Sequence, residues 1–116
     1  MATLAVILTQ PPYGNLSASE GIEFALASTN YGHECSVFFV GTGVLQLMSN
    51  QQPSEQKNHA KQLKVMPLYD IGHCYACAVS LLKHNVSVDS APVDIQPLTP
   101  EELSSTLANF DHTVTF

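Results

Sequence analysis

Two cysteines three residues apart, Cys74 and Cys77, are the side chains of this sequence best suited to covalent chemistry. If a strand ends near Ala76 and a helix begins at Cys77, the Cys77 thiol lies at a helix N-terminus. Unpaired N–H groups and the helix dipole favour a thiolate there and lower the thiol pKa. This position makes Cys77 a candidate nucleophile or persulfide carrier. The plainer interpretation is a buried cysteine that only packs, because free cysteine is among the most buried residue types.

The spacing Cys74-x-x-Cys77 also suggests a thioredoxin-type dithiol. Strand geometry argues against it, because three strand residues span roughly 10 Å and an odd spacing puts the two side chains on opposite faces. A disulfide needs Cα atoms within roughly 7 Å. Only a turn or a helix start at Cys74 would bring the thiols together. The motif therefore favours thiol chemistry more than oxidoreduction.

No metal site or cofactor site is predicted. A structural zinc site needs four ligands, and beyond Cys74 and Cys77 the sequence offers Cys35 and His73 but no second CxxC and no HxxxH. The turn at residues 10–15 has one glycine and two prolines and lacks a GxGxxG or P-loop pattern, so no nucleotide or flavin is expected. The remaining histidines are interpreted as solvated or capping residues: His33, His59, His84 and His112.

Composition narrows the class of protein. The 116 residues suit one domain spanning 1–116, and the net charge of −6, with four lysines and no arginine, argues against direct nucleic-acid binding. Three cysteines do not form a secreted disulfide framework, and free thiols suit the cytoplasm. The apolar residues 1–9 lack a basic flank and are far shorter than the roughly 20 residues of a membrane span. We therefore expect a cytoplasmic protein, neither secreted nor membrane-inserted.

Apolar runs alternate with helical patterns along the chain. Strands are predicted at residues 4–8, 35–40, 71–76 and 93–95, and an edge-like strand at 112–116. Helices are predicted from a capping box at Ser17 to a C′ glycine at Gly32, from Ser54 to about 66, over 77–84, and from a second capping box at Thr99. The sum predicts an α/β domain with a mostly parallel, about five-stranded sheet and helices on both faces.

Two segments of the sequence fit more than one type of secondary structure. Residues 44–48 suit a short helix or a loop, followed by a polar excursion at 49–53. The whole of residues 73–82 could also form one helix. We prefer a strand followed by a helix there, because that order preserves the alternation of strands and helices.

The ordered set of segments resembles the DsrE/DsrF-like sulfur-relay proteins, and most closely the DsrF-type (TusC) subunits of TusBCD complexes. The likeness runs over essentially the whole chain. It is carried by PYG at 12–14, VFFV at 37–40, GVLQL at 43–47, LYDI at 68–71, CYACAVSL at 74–81 and LANFD at 107–111.

The resemblance implies a cytoplasmic subunit of a heterohexamer with TusB-like and TusD-like chains. Such a complex takes persulfide sulfur from a TusA-like donor and passes it through a TusE-like acceptor toward 2-thiolation of the tRNA wobble uridine. In the family the relay cysteine belongs to the D-like subunit, and Cys77 occupies the corresponding strand-to-helix position. We therefore expect an organising subunit with Cys77 as a secondary sulfur site.

Two other functions remain open on the sequence. One is a free-standing sulfurtransferase or thiol-redox enzyme that uses Cys77, alone or with Cys74. The other is a DsrF-type subunit of dissimilatory sulfur oxidation, because that relay uses the same scaffold.

Overall fold

The protein is a five-stranded sheet with helices on both faces. The structure, a computed structural model, describes residues 3–10, 17–47, 66, 71, 73–91 and 93–116. The strands are β1 (Thr3–Leu8), β2 (Glu34–Phe39), β3 (His73–Cys77), β4 (Gln96–Leu98) and β5 (His112–Thr115). Their order across the sheet is β4-β3-β2-β1-β5, and every neighbouring pair is parallel. The predicted fold class is confirmed, and β5 lies at an edge as its pattern indicates.

The described helices lie between the strands. They are α1 (Ser17–Asn30), a 3₁₀ helix at Gly41–Leu47, α2 (Ala78–Lys83), a short 3₁₀ turn at Val88–Ser90 and α3 (Pro100–Leu107). None of the helices in this part of the chain is long and apolar enough to cross a membrane. The predicted helix from Ser54 to about 66 and the excursion at 49–53 fall outside the described residues, apart from Met66, which is buried in the core.

Two helix ends form as the sequence predicts. Gly32 has φ 83° and donates its N–H to the Thr29 carbonyl, while His33 donates to the Ser28 carbonyl; this bond pair is a Schellman C-cap. At α3 the Thr99 hydroxyl accepts from the Glu102 N–H at 3.2 Å, and the Glu102 carboxylate accepts from the Thr99 N–H at 3.0 Å. Both predicted terminators therefore set the lengths of their helices.

The core has two unequal parts, one on each face of the sheet. The larger part joins alternate strand residues to α1, the first 3₁₀ helix and α2, and it includes Val6, Val37, Cys74, Ile22, Val44 and Leu81. Among the described residues, the apolar cluster on the second face consists of Ala5, Phe38 and Leu98, with α3 and its following turn packed partly against them. Because α3 buries none of its residues fully, the described part of the chain covers the second face less completely than the first.

Some boundaries differ from the prediction. The strand expected at 93–95 forms instead at Gln96–Leu98, while Val93 is buried and Ile95 is half-buried against the larger core as loop residues. Pro97 in β4 is compatible with this because β4 is an edge strand, where a missing N–H disturbs no ladder. β3 begins at His73 rather than 71. Residues 44–47 belong to a 3₁₀ helix that begins at Gly41, and residue 48 lies outside the described part of the chain.

Candidate functional site

Cys77 lies where β3 ends and α2 begins. It is the last residue of the strand and the N-cap of the helix, with extended backbone angles of φ −68° and ψ 118°. The strand-then-helix interpretation is therefore correct, and the helix itself begins one residue later than expected, at Ala78. In a parallel sheet this end of the strands is where reactive groups collect.

Polar groups of the first helical turn surround the Cys77 sulfur. Its side chain is 7% exposed, and burial raises the thiol pKa. The Ser80 hydroxyl and the N–H groups of Ser80 and Val79 face the sulfur and outweigh that effect, so the pKa of Cys77 lies below the ordinary thiol value. The Cys77 side chain makes no cap hydrogen bond of standard geometry. The site therefore favours the reactive form of Cys77.

Ser80 also connects Cys77 to the loop after β2. Its hydroxyl oxygen accepts a hydrogen bond of 2.9 Å from the N–H of Gly41, the first residue of the 3₁₀ helix. The same hydroxyl can donate its proton to the sulfur while it accepts from Gly41. Ser80 thus joins the first turn of α2, which follows Cys77, to the start of the 3₁₀ helix after β2.

The 3₁₀ helix is in turn fixed to the end of β1. The Thr42 hydroxyl donates to the Thr9 carbonyl at 2.7 Å, and the buried Gln46 side chain donates to the Gln10 carbonyl at 2.9 Å. These bonds satisfy carbonyl groups at the point where the β1 ladder ends. The surroundings of Cys77 are therefore held by three successive strand ends, those of β1, β2 and β3.

The other two cysteines lie on the opposite face of the sheet. Cys74 and Cys35 are both buried in the larger core. Burial, with contributions from Cys35 and Asp94, raises the pKa of Cys74 to about 12. Burial also raises the pKa of Cys35, partly offset by a hydrogen bond with Ser28. Both thiols stay protonated at neutral pH, and all three cysteines are free.

This arrangement gives no support to the dithiol interpretation of the Cys74-x-x-Cys77 motif. The residues alternate along β3, so the Cys74 side chain joins the larger core with Ala76, while Tyr75 packs on the second face. Nor do the described residues hold any group of three or more His, Cys, Asp or Glu side chains that could bind a metal ion. His73 lies at the other end of β3 from Cys77.

Ser80 is the residue of this site that the sequence reasoning missed. A signal was present, because Cys77 and Ser80 stand at the N-cap and N3 spacing that defines a capping box. Cysteine is not among the usual cap residues, so the pattern is easily passed over. The Gly41 contact joins residues 39 positions apart and had no sequence signal.

Comparison with known proteins agrees with this fold. The sequence model of the DsrE/DsrF-like family matches residues 2–116, so the chain belongs to the DsrE/DsrF-like family, which includes sulfur-relay proteins. The crystal structure of the YchN protein from E. coli superposes with a TM-score of 0.87 at 19% identity, covering 100% of both chains.

A second solved structure has the same fold. It is BT1422 from Bacteroides thetaiotaomicron, a conserved protein of unknown function, with a TM-score of 0.70 at 16% identity. The match covers 97% of this chain and 94% of that one. At these identities the two structures establish the fold, and the role of Cys77 has to be argued from its own surroundings.

Proposed function

We propose that this chain is an organising subunit of a persulfide relay that supports 2-thiolation of the tRNA wobble uridine, with Cys77 as a secondary sulfur site. The observation that carries the proposal is the Cys77 thiol at the β3–α2 junction of a DsrE/DsrF-like fold. Its pKa is lowered by the donors of Ser80 and Val79. A sulfur-relay fold with an ionisable thiol at this junction suits a protein that receives and releases sulfur.

The chemistry available to Cys77 is the transfer of sulfane sulfur. The Cys77 thiolate attacks the outer sulfur of a donor persulfide, the donor S–S bond breaks, and the donor leaves as a thiolate. Cys77 then carries the persulfide, and an acceptor thiolate removes the outer sulfur by the same attack. The exchange needs no external oxidant or reductant. Because the pKa of Cys77 is lowered, more of it is thiolate when it attacks the donor, and it is a better leaving group when the acceptor removes the outer sulfur.

The surface around Cys77 supports protein partners. Val79 and Leu82 on α2 are 56% and 85% exposed, although both are large and apolar. Exposed apolar side chains beside a reactive thiol suit contact with another protein. The net charge of −6 and the absence of arginine disfavour contact with tRNA itself. We accordingly propose TusB-like and TusD-like chains as subunit partners, with a TusA-like donor and a TusE-like acceptor acting on the complex.

The test combines removal of the chain with a single substitution. Deletion is expected to abolish 2-thiouridine in bulk tRNA, and Cys77→Ser to lower it partially while the complex still assembles. Cys74→Ala is the matched control, because Cys74 faces the core. Normal thiolation after deletion, or a monomer by light scattering when B-like and D-like chains are co-expressed, would show the proposal to be wrong.

A free-standing sulfurtransferase is the second candidate, favoured by the lowered pKa of Cys77. It predicts that the purified chain alone moves sulfur from a persulfide donor to a small thiol with multiple turnovers. A DsrF-type role in dissimilatory sulfur oxidation uses the same site. Genes for a dissimilatory sulfite reductase beside this one would favour that role over tRNA thiolation.

A further inference from the structure

A cavity of about 630 Å³ opens at the amino ends of β1, β2 and β3. It lies at the far end of the sheet from Cys77, because β3 runs from His73 at the cavity to Cys77 at its other end. Four strand steps separate these residues by roughly 13 Å. The volume is within the range of small-molecule sites, which is roughly 300–1,000 Å³.

The cavity exists because the second face of the sheet is incompletely covered. Of the described helices only α3 packs on this face, and it ends at Leu107. Thr3, Ser36 and Tyr75 stand on that face near the starts of their strands, and all three line the cavity. The turn after α3 supplies Phe110 as a further wall.

A ladder of aromatic rings forms one side of the cavity. Tyr75 stacks on the buried Phe38 with ring centroids 4.9 Å apart and planes at 24°. His73 continues the stack from Tyr75 at 6.4 Å and 15°. Phe110 meets Phe38 edge-on, at 5.6 Å and 83°. Nearly parallel rings of this kind present a flat face on which another planar ring can stack.

One hydroxyl in the cavity has no partner. Ser36 is 7% exposed and lines the cavity, and within the described residues its side chain forms no hydrogen bond. Its hydroxyl oxygen is accessible from the cavity, since none of the described residues has a fully buried side-chain oxygen or nitrogen without a partner, and a bound molecule can take up this free hydrogen-bonding group. Ser36 can act there as donor or acceptor.

The charges around the cavity disfavour anions. Glu34 lines it, and the Asp111 carboxylate lies at its rim, where it accepts hydrogen bonds from the Thr3 N–H at 2.9 Å and the Thr3 hydroxyl at 3.2 Å. None of the described lining residues is a lysine or arginine. The two lining imidazoles, His33 and His73, can stack on a ring and form hydrogen bonds.

We propose that this cavity binds an uncharged planar heteroaromatic molecule of about nucleoside size. Its ring stacks on the Tyr75 and His73 platform, and one of its polar groups pairs with the Ser36 hydroxyl. The site is independent of the Cys77 thiol and would let a small molecule bind while Cys77 handles sulfur at the other end of β3.

The test is an NMR titration of the full chain with adenosine and uridine and with their 5′-monophosphates. At least one nucleoside is expected to shift the signals of Ser36, His73 and Tyr75 saturably below about 5 mM. The matching monophosphate should bind about tenfold more weakly, because its phosphate faces Glu34 and the rim. Ser36→Ala should weaken nucleoside binding about three- to tenfold, while Val79→Ser on α2 should leave it unchanged.

Three outcomes would overturn the proposal. The first is the absence of saturable shifts at the cavity signals with both nucleosides, and the second is equal binding of nucleoside and monophosphate. The third is movement of the same signals on dilution without ligand, which would mean that a second copy of the chain covers the cavity. A Ser36→Ala variant that stays folded and binds with unchanged affinity would contradict the assigned role of the hydroxyl.

Discussion

Replacing Ser80 with alanine should slow the reaction of Cys77 with electrophiles while the fold persists. The substitution removes the hydroxyl that faces the sulfur and leaves the two backbone N–H groups in place. It also leaves the Gly41 N–H without the acceptor that it has at 2.9 Å. Loss of that neutral bond should cost about 1 kcal/mol of unfolding free energy, a small part of a domain's stability.

The expected size of the rate effect comes from two opposing terms. A hydrogen bond to a charged group contributes about 1.5 kcal/mol at the low end of the observed range, so its loss lowers the thiolate fraction about tenfold at a pH below the thiol pKa. The remaining thiolate is more basic and about threefold more nucleophilic, since the Brønsted coefficient is about 0.5. At a pH below the pKa of Cys77, the Ser80→Ala variant should therefore be alkylated about threefold more slowly.

The assay is timed alkylation with iodoacetamide followed by peptide mass spectrometry, repeated across pH. Cys74 serves as an internal reference, since it is buried and its pKa is about 12. Ser80→Thr keeps a hydroxyl and should react like the native chain. Thr42→Ala removes a neighbouring hydroxyl that bonds the Thr9 carbonyl, and it should also leave the rate unchanged. An unchanged or faster rate in folded Ser80→Ala would refute the assignment of the hydroxyl as a thiolate donor.

Three further predictions test the fold. The Thr3 N–H and hydroxyl hold the pKa of Asp111 below its usual value. The ionised Asp111 carboxylate therefore adds stability at neutral pH, and this stability is lost as the pH falls through the lowered pKa. The unfolding free energy of Asp111→Asn, measured in urea, should lack this acid dependence. Gly43→Ala places a Cβ against the Leu8 carbonyl and should cost about 3 kcal/mol. The Cβ of Gly32→Ala meets no atom within 4 Å, so this variant should lose only about 1 kcal/mol of unfolding free energy, because of the φ of 83°. Equal melting temperatures for Gly43→Ala and Gly32→Ala would contradict the predicted difference. Thr99→Ala removes the α3 cap and should cost about 1 kcal/mol by urea unfolding, against no change for Ser105→Ala.

The sequence specifies the fold where local chemistry decides the structure. The Thr99 capping box and the Gly32 cap are short-range motifs, and both form as predicted. β4 was misplaced because Val93 and Ile95 look like a buried strand, yet they fill the larger core from a loop. The strand forms instead at Gln96–Leu98, a segment whose proline disfavours a strand in the middle of a sheet.

The candidate site was predicted only in part, for the same reason. The place of Cys77 at a strand end followed from alternation and was predicted from sequence. The bond from Gly41 to Ser80 depends on how two distant loops meet, and no local pattern encodes it. The amino-end cavity depends on how much of the second face α3 covers, which is a property of the assembled sheet.

Because the cysteines are separated along β3, the release of any group bound covalently to Cys77 depends on other molecules. Cys74 lies three strand residues away, roughly 10 Å, and on the other face, and Cys35 lies in the same buried core as Cys74. No thiol of the chain can therefore resolve a mixed disulfide or discharge a persulfide at Cys77. Any such adduct lasts until another molecule attacks it. The adduct is then lost in a second-order reaction, and its lifetime depends on the concentration of the attacking molecule.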